Sequence, residues 1–303
     1  MWVTALGLCP VRGVSSKPVI RVDAATVLLQ WATGGLFFLW FTTRRRMVGV
    51  GYGWLMRGTN LLIAAAALVC GLRFGIEPIR EIASAGVAAT ALVALAVSIV
   101  RRKAGVSGQD DEHDRRSQRV AAMTGIDRDV PVRATARGPE FPPALDLVAP
   151  LIGVVGLVAA GVGAGGNDVV AILRTIVGAA FLGAITDAML LGHWYLVQPG
   201  LPRSLLNELV AVTKYVLPAE VAVMLLPTGM ISVLNGSISD GWGGTLGYFW
   251  IACAFTTGVL CIVTQKALRE KYYSAVMAAT GLLYLAILTA FGTDIVARAV
   301  LAG

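Results

Sequence analysis

The sequence predicts an all-α integral membrane protein of about eight transmembrane helices with both termini outside. Three observations carry that reading. Of the 303 residues, 56% are apolar and only 14% are charged, against ~25% charged in soluble domains, so a water-soluble fold would have too little charge to cover itself. The apolar residues fall into eight runs, each long enough to cross the ~30 Å hydrocarbon layer, which takes about 20 residues of helix. Lys and Arg, finally, gather on one side of those runs.

The first run, 24–43, closes on Arg44, Arg45 and Arg46, a cationic stop suited to anionic lipid headgroups. The second, 50–72, contains Arg57. A cationic side chain at that depth either reaches back to the headgroups or meets a carboxylate on another helix, and Asp187 stands at a similar depth. The third, 82–101, ends on Arg101, Arg102 and Lys103. A polar stretch over 101–142 follows, with Asp110, Asp111, Glu112 and Asp114, then Arg115 and Arg116, closing on Pro139, Pro142 and Pro143. Mixed charge with few large apolar residues predicts a solvated cytoplasmic loop, with room for a short helix around 114–124. The chain thus divides into a lead-in with a three-helix membrane segment (1–100), the loop (101–142) and a five-helix membrane segment (143–303), one membrane domain in all.

In the fourth run, 144–164, Gly153, Gly156, Ala159, Ala160 and Gly161 permit close helix packing. The fifth, 168–196, carries Asp187 and then His193, Trp194 and Tyr195 before a Pro-Gly-Leu-Pro turn. Asp187 and Trp194 share a helix face, while His193 points ~120° away. The sixth, 204–234, begins amphipathically. Ser204, Asn207, Glu208, Ala211, Lys214, Tyr215 and Pro218 fall within a ~120° arc, so this segment either lines a water-filled cavity or lies along the membrane surface before Pro218 turns it inward. Glu220 projects from the opposite face and needs a partner of its own or a proton, and Pro227 is placed to bend the span. The seventh run is 243–265. The eighth, 273–300, holds Asp294 and Arg298 at the spacing of a local ion pair.

With the N-terminus outside, seventeen Lys and Arg lie inside and seven outside, which supports the orientation. The net charge of +7 has the same origin, so no nucleic acid is expected. The partners expected are the bilayer, its anionic headgroups, and either further copies of the chain or other membrane subunits. Arg12, Lys17 and Arg21 follow the short apolar start instead of preceding it, which reads as a retained lead-in. Cys9, Cys70, Cys253 and Cys261 are too widely spaced for a zinc or redox motif. An internal duplication of four and four spans would suit the topology. The nearest match, Arg57 and Asn60 against Arg203 and Asn207, differs in spacing by one residue and supports no repeat.

Ionisable groups inside spans are costly and mark candidate sites. Asp187, His193, Glu208, Lys214, Arg57, Glu220 and Tyr215 are the candidates for a transport or ligand site, with Trp194 and Tyr195 as interfacial aromatics. His113 lies in the loop, so a bis-histidine haem lacks its second axial ligand. Magnesium-diphosphate, phosphate-loop and serine-hydrolase motifs are missing. The first functional reading is a small-solute or proton-linked transporter with a polar cavity on the cytoplasmic side and no cofactor. A second is a non-catalytic membrane subunit of a larger, respiratory-type complex, where a quinone or haem would border His193. A third is a lipid-modifying enzyme with Asp187 and His193 as an acid/base pair, for which no nucleophile or metal set completes the constellation. The Ala, Val, Gly and Arg bias points to a GC-rich bacterial genome and so to the plasma (inner) membrane.

Overall fold

The computed structural model describes residues 23–108, 118, 139–198, 200–227 and 229–302. Cys9, the lead-in cations, His113 and the helix expected around 114–124 fall outside the described residues, residue 118 excepted. Nine α-helices are described: α1 (Ala24–Thr43), α2 (Val50–Phe74), α3 (Pro78–Val100), α4 (Val148–Gly163), α5 (Asp168–Val197), α6 (Arg203–Leu225), the short α7 (Gly229–Leu234), α8 (Thr245–Ala267) and α9 (Tyr273–Ala302). A 3-10 turn, Pro143–Leu147, leads into α4.

Local chemistry sets many of the boundaries. The Asp23 carboxylate accepts the Thr26 N–H at 2.9 Å and caps α1, and Asn167 does the same for α5 through Val170. Pro78 occupies the first turn of α3, where its missing N–H costs nothing. The expected sixth span does not run unbroken to 234. Leu226, the residue before Pro227, is extended at φ −86° and ψ 153°, and α6 ends there, as the steric demand of a following proline dictates.

Among the described residues, seven helices are long and apolar enough to cross a membrane. The one expected span missing from these seven is the sixth, α6, whose Arg203, Glu208, Lys214 and Glu220 leave it too charged to qualify by composition. Its packing supplies what its composition lacks. At one end Tyr195 of α5 donates its hydroxyl to the Pro202 carbonyl at 2.6 Å, and at the other Arg174 of α5 donates Nε to the Val223 carbonyl at 2.9 Å. From Arg174 to Tyr195 is ~32 Å of helix, so α6 lies antiparallel to α5 across a full membrane thickness. It is no surface helix.

The bundle has two faces: the N-face, where α1 begins, and the C-face, where α1 ends. In the first set of four, α1 packs on α2, α2 on α3, α3 on α4 and α4 back on α1. In the second, α5 packs on α6, α6 on α8, α8 on α9 and α9 back on α5. The two sets therefore share one connectivity, although the sequence shows no repeat. They join where α1 meets α5, the two helices most buried among the apolar spans. These run parallel and touch backbone to backbone: a Cβ on Gly183 would lie 2.2 Å from the Gly34 carbonyl carbon. The expected close packing of α4 is present too, with Gly153 against Thr33 and Gly156 against Ala83.

Candidate functional site

Among the buried polar centres of this bundle, three involve the expected candidates; a fourth, Arg80 with Glu81 at the start of α3, pairs at 2.5 Å. The first is Asp187 on α5, fully buried. Thr42, in the last turn of α1, donates its hydroxyl to Oδ2. Tyr52, in the first turn of α2, donates to Oδ1 at 2.6 Å. Both donors are neutral, and among the described residues no Lys, Arg or His forms an ion pair with Asp187. The ring of Trp194 lies 5.8 Å from that of Tyr52, so the face shared by Asp187 and Trp194 is the one that meets α2. Trp194 also donates Nε1 to Gln198 at 3.1 Å.

The second centre corrects the expected partner of Arg57. Its guanidinium meets Asp146, not Asp187, through Nε to Oδ1 and Nη2 to Oδ2, both at 2.7 Å. Nη1 donates to Ser98 of α3 at 3.1 Å, and the Phe141 ring covers the guanidinium at 4.1 Å. Arg57 does not snorkel; it is 2% exposed. A Cβ on Gly53 would come 2.5 Å from Nη1, so this glycine makes room for the pair. Above it a small cleft of about 50 Å³ opens at the C-face, lined by Arg46, Gly49, Ser98, Glu140 and Phe141 among others. An ion pair from Arg46 to Glu140 at 3.1 Å crosses it.

The third centre lies at the N-face. Glu220 of α6, Asp294 and Arg298 of α9, Arg174 of α5 and Gln30 of α1 converge there, each at most 5% exposed. Arg298 grips Asp294 through Nε at 2.8 Å and Nη2 at 2.7 Å, the local pair that the sequence spacing predicts. Nη2 also donates to the Arg174 carbonyl at 2.9 Å and stands 3.8 Å from Glu220 Oε1. The partner that Glu220 needs therefore sits on α9. Gln30 donates Nε2 to the Thr175 carbonyl at 3.0 Å.

The remaining candidates are dispersed. His193 is exposed on the flank of the bundle, its Nδ1 3.3 Å from the Tyr284 hydroxyl. Glu208 pairs with Arg45 at 2.7 Å and Arg44 at 3.8 Å at the C-face. Lys214 donates to Gln265 of α8 at 2.8 Å and lies 5.0 Å from the Tyr215 ring, which is itself 73% exposed. The polar arc of α6 thus faces outward, with Leu205, Leu206, Leu209 and Leu217 turned into the bundle. Asp187 and Glu220 stand toward opposite faces, and no single described cavity collects the candidates. Sequence reasoning missed Thr42, Tyr52, Asp146 and Gln30. Asp146 carried a legible signal, a carboxylate in the first turn of an apolar span; the other three are ordinary polar residues until a neighbouring helix is known.

No family model matches the chain, and neither a curated protein nor a solved structure matches it. What the chain establishes is a polytopic helical membrane architecture with buried polar centres.

Proposed function

We propose that the protein is a proton-linked transporter of a small solute, with Asp187 as the group that takes up and releases the proton. The observation that carries this reading is a fully buried carboxyl held only by two hydroxyls, at the junction of the two four-helix sets. An ionised carboxylate there has no counter-charge, whereas a protonated one is fully hydrogen-bonded, so solvation favours proton exchange as the helices rearrange. Parallel central helices meeting over glycine give the two sets a surface on which to rock. Arg57 is matched by Asp146 and Arg298 by Asp294, whereas Asp187 has no ionic partner among the described residues, which makes it the group with capacity to couple.

The orientation that fits this function puts the C-face in the cytoplasm. Arg44, Arg45, Arg46, Lys266, Arg269 and Lys271 lie at that face, where they meet anionic headgroups. Three N-face arginines, Arg80, Arg174 and Arg298, are instead buried in contacts within the bundle. No cofactor is required, and the plasma membrane of a bacterium is the proposed location. The test is proton-coupled flux in proteoliposomes carrying the full chain, screened over small solutes under an imposed pH gradient. Asp187→Asn keeps both hydroxyl partners and should abolish the coupling; coupled flux that ignores this change sinks the reading.

A second reading has one observation in its favour. His193 and Tyr284 stand together on the exposed flank, which suits a membrane subunit that borders a quinone or a neighbouring chain. Native mass spectrometry from mild detergent decides it, since a lone protomer without a bound molecule removes its support.

A further inference from the structure

The N-face centre contains an imbalance that the ion pairs do not resolve. Two guanidiniums and two carboxylates meet there, yet they are not matched one to one. Asp294 takes Arg298 at 2.7 to 2.9 Å. Arg174 is committed to the carbonyls of Val223 and Leu226, at the end of α6. Glu220 is left with one ion-pair contact, to Arg298 Nη2 at 3.8 Å, and lies against the Asp294 carboxyl. Among the described residues neither of its oxygens receives an N–H or hydroxyl donor although it is fully buried, and the Nη1 edge of Arg298 is without an acceptor as well. A buried carboxylate without donors and a buried guanidinium edge without an acceptor are each costly, and here they stand in the same cluster.

We propose that Glu220 is a second proton-exchange site, coupled to which carboxylate Arg298 serves. While Arg298 is held by Asp294, Glu220 carries the proton. When the free Nη1 edge turns to Glu220, the O–H bond breaks, the proton leaves to water at the N-face, and the carboxylate gains the guanidinium as its partner. No electron moves, and the charge of one proton is the whole change. The groups facing Glu220 are Asp294 and Arg298 from α9, Arg174 from α5 and the neutral Gln30 from α1. α7 has no charged residue, and the one charge on α8, Lys266, lies at its far end. Gly178 makes the exchange sterically feasible, because a Cβ there would come 2.3 Å from Arg298 Nη2 and 2.4 Å from Gln30 Nε2. With Asp187 toward the C-face, the bundle then holds one proton station toward each face. The route between them rests on the transport reading, but the protonation of Glu220 does not.

The test is infrared difference spectroscopy of the full chain in bilayers during pH changes, read in the protonated-carboxyl C=O region. A titrating band lost in Glu220→Gln and kept in Asp187→Asn is expected. In Asp294→Asn, Arg298 is free to turn to Glu220, and the band should be lost at neutral pH. A spectrum that Glu220→Gln leaves unchanged overturns the proposal, as does a band that titrates identically in Asp294→Asn. Should Glu220→Gln fail to fold, Glu220→Asp keeps the carboxyl, and failure of the band to shift counts equally against it. Flux that ignores Asp187→Asn while the Glu220 band titrates would remove the transport reading and leave this site standing.

Discussion

Tyr52 and Asp187 are joined by a 2.6 Å hydrogen bond that ties the start of α2 to the middle of α5. The phenol also reaches the Asp187 backbone carbonyl at 3.3 Å. Removing the hydroxyl in Tyr52→Phe leaves Oδ1 without a donor in a dry site. The expected cost is about 1–3 kcal/mol in thermal unfolding in detergent. A loss indistinguishable from zero would mean that water or another donor replaces the phenol.

Arg57 and Asp146 offer a sharper test, because neither charge has another ionic partner among the described residues. Arg57→Ala or Asp146→Ala alone strands a buried charge and should cost about 3–5 kcal/mol. Replacing both, as Arg57→Met with Asp146→Leu, should be milder than either single change. A double-mutant cycle by chemical denaturation checks this, and additive losses would contradict the pairing.

Where Gly34 of α1 meets Gly183 of α5, the contact leaves no room for a side chain. Gly183→Ala places a methyl against the Gly34 backbone, where no flexible side chain can give way, so the helices must separate. Overpacking of this kind costs about 1–3 kcal/mol. Gly58→Ala is the control, since a Cβ there meets nothing, and its melting temperature should stay at or above that of the unmodified chain.

Acid should loosen the N-face end of α1. Partial burial pushes the Asp23 carboxyl up, but the Thr26 N–H and hydroxyl and the Arg80 guanidinium outweigh it and hold the group below its ordinary 3.8. Its contribution to stability is therefore present above pH 3.8 and fades as the pH falls through the lower folded value. Asp23→Ala, which removes the cap, should cost about 1 kcal/mol. Asp23→Asn, able to cap but not to pair with Arg80, should fall between the two, and its stability should lose the acid dependence traced to this residue. Equal melting of all three at neutral pH would refute the capping role.

Much of this architecture is legible in the chain because lipid leaves so few options. The expected 24–43, 144–164 and 168–196 agree closely with α1, the turn with α4, and α5, since length and apolarity suffice to define them. The amphipathic start of α6 reads correctly as helix, but its orientation depends on neighbours that periodicity does not name. The same limit explains Arg57. Depth made Asp187 a plausible partner, yet the packing of α2 beside α3 and the turn before α4 brings Asp146 to it instead. The four-and-four arrangement is invisible in sequence because it resides in which helices touch, and chemically different residues fulfil that pattern in each set.

The shared direction of α1 and α5 has an electrical consequence. Peptide dipoles in adjacent antiparallel helices largely offset one another, whereas those of two parallel central helices add. Each of the two carries on the order of half a positive charge at its N-face end and the same amount of negative charge at its C-face end, a field that the antiparallel α2, α4, α6 and α9 around them oppose. A positive charge moving from the N-face toward Asp187 along that contact would run down the gradient of the pair, and a negative one is drawn the other way. The polarity belongs to the backbone, so no single side-chain replacement can reverse it; only a chain that threads the bundle in the opposite sense could do so.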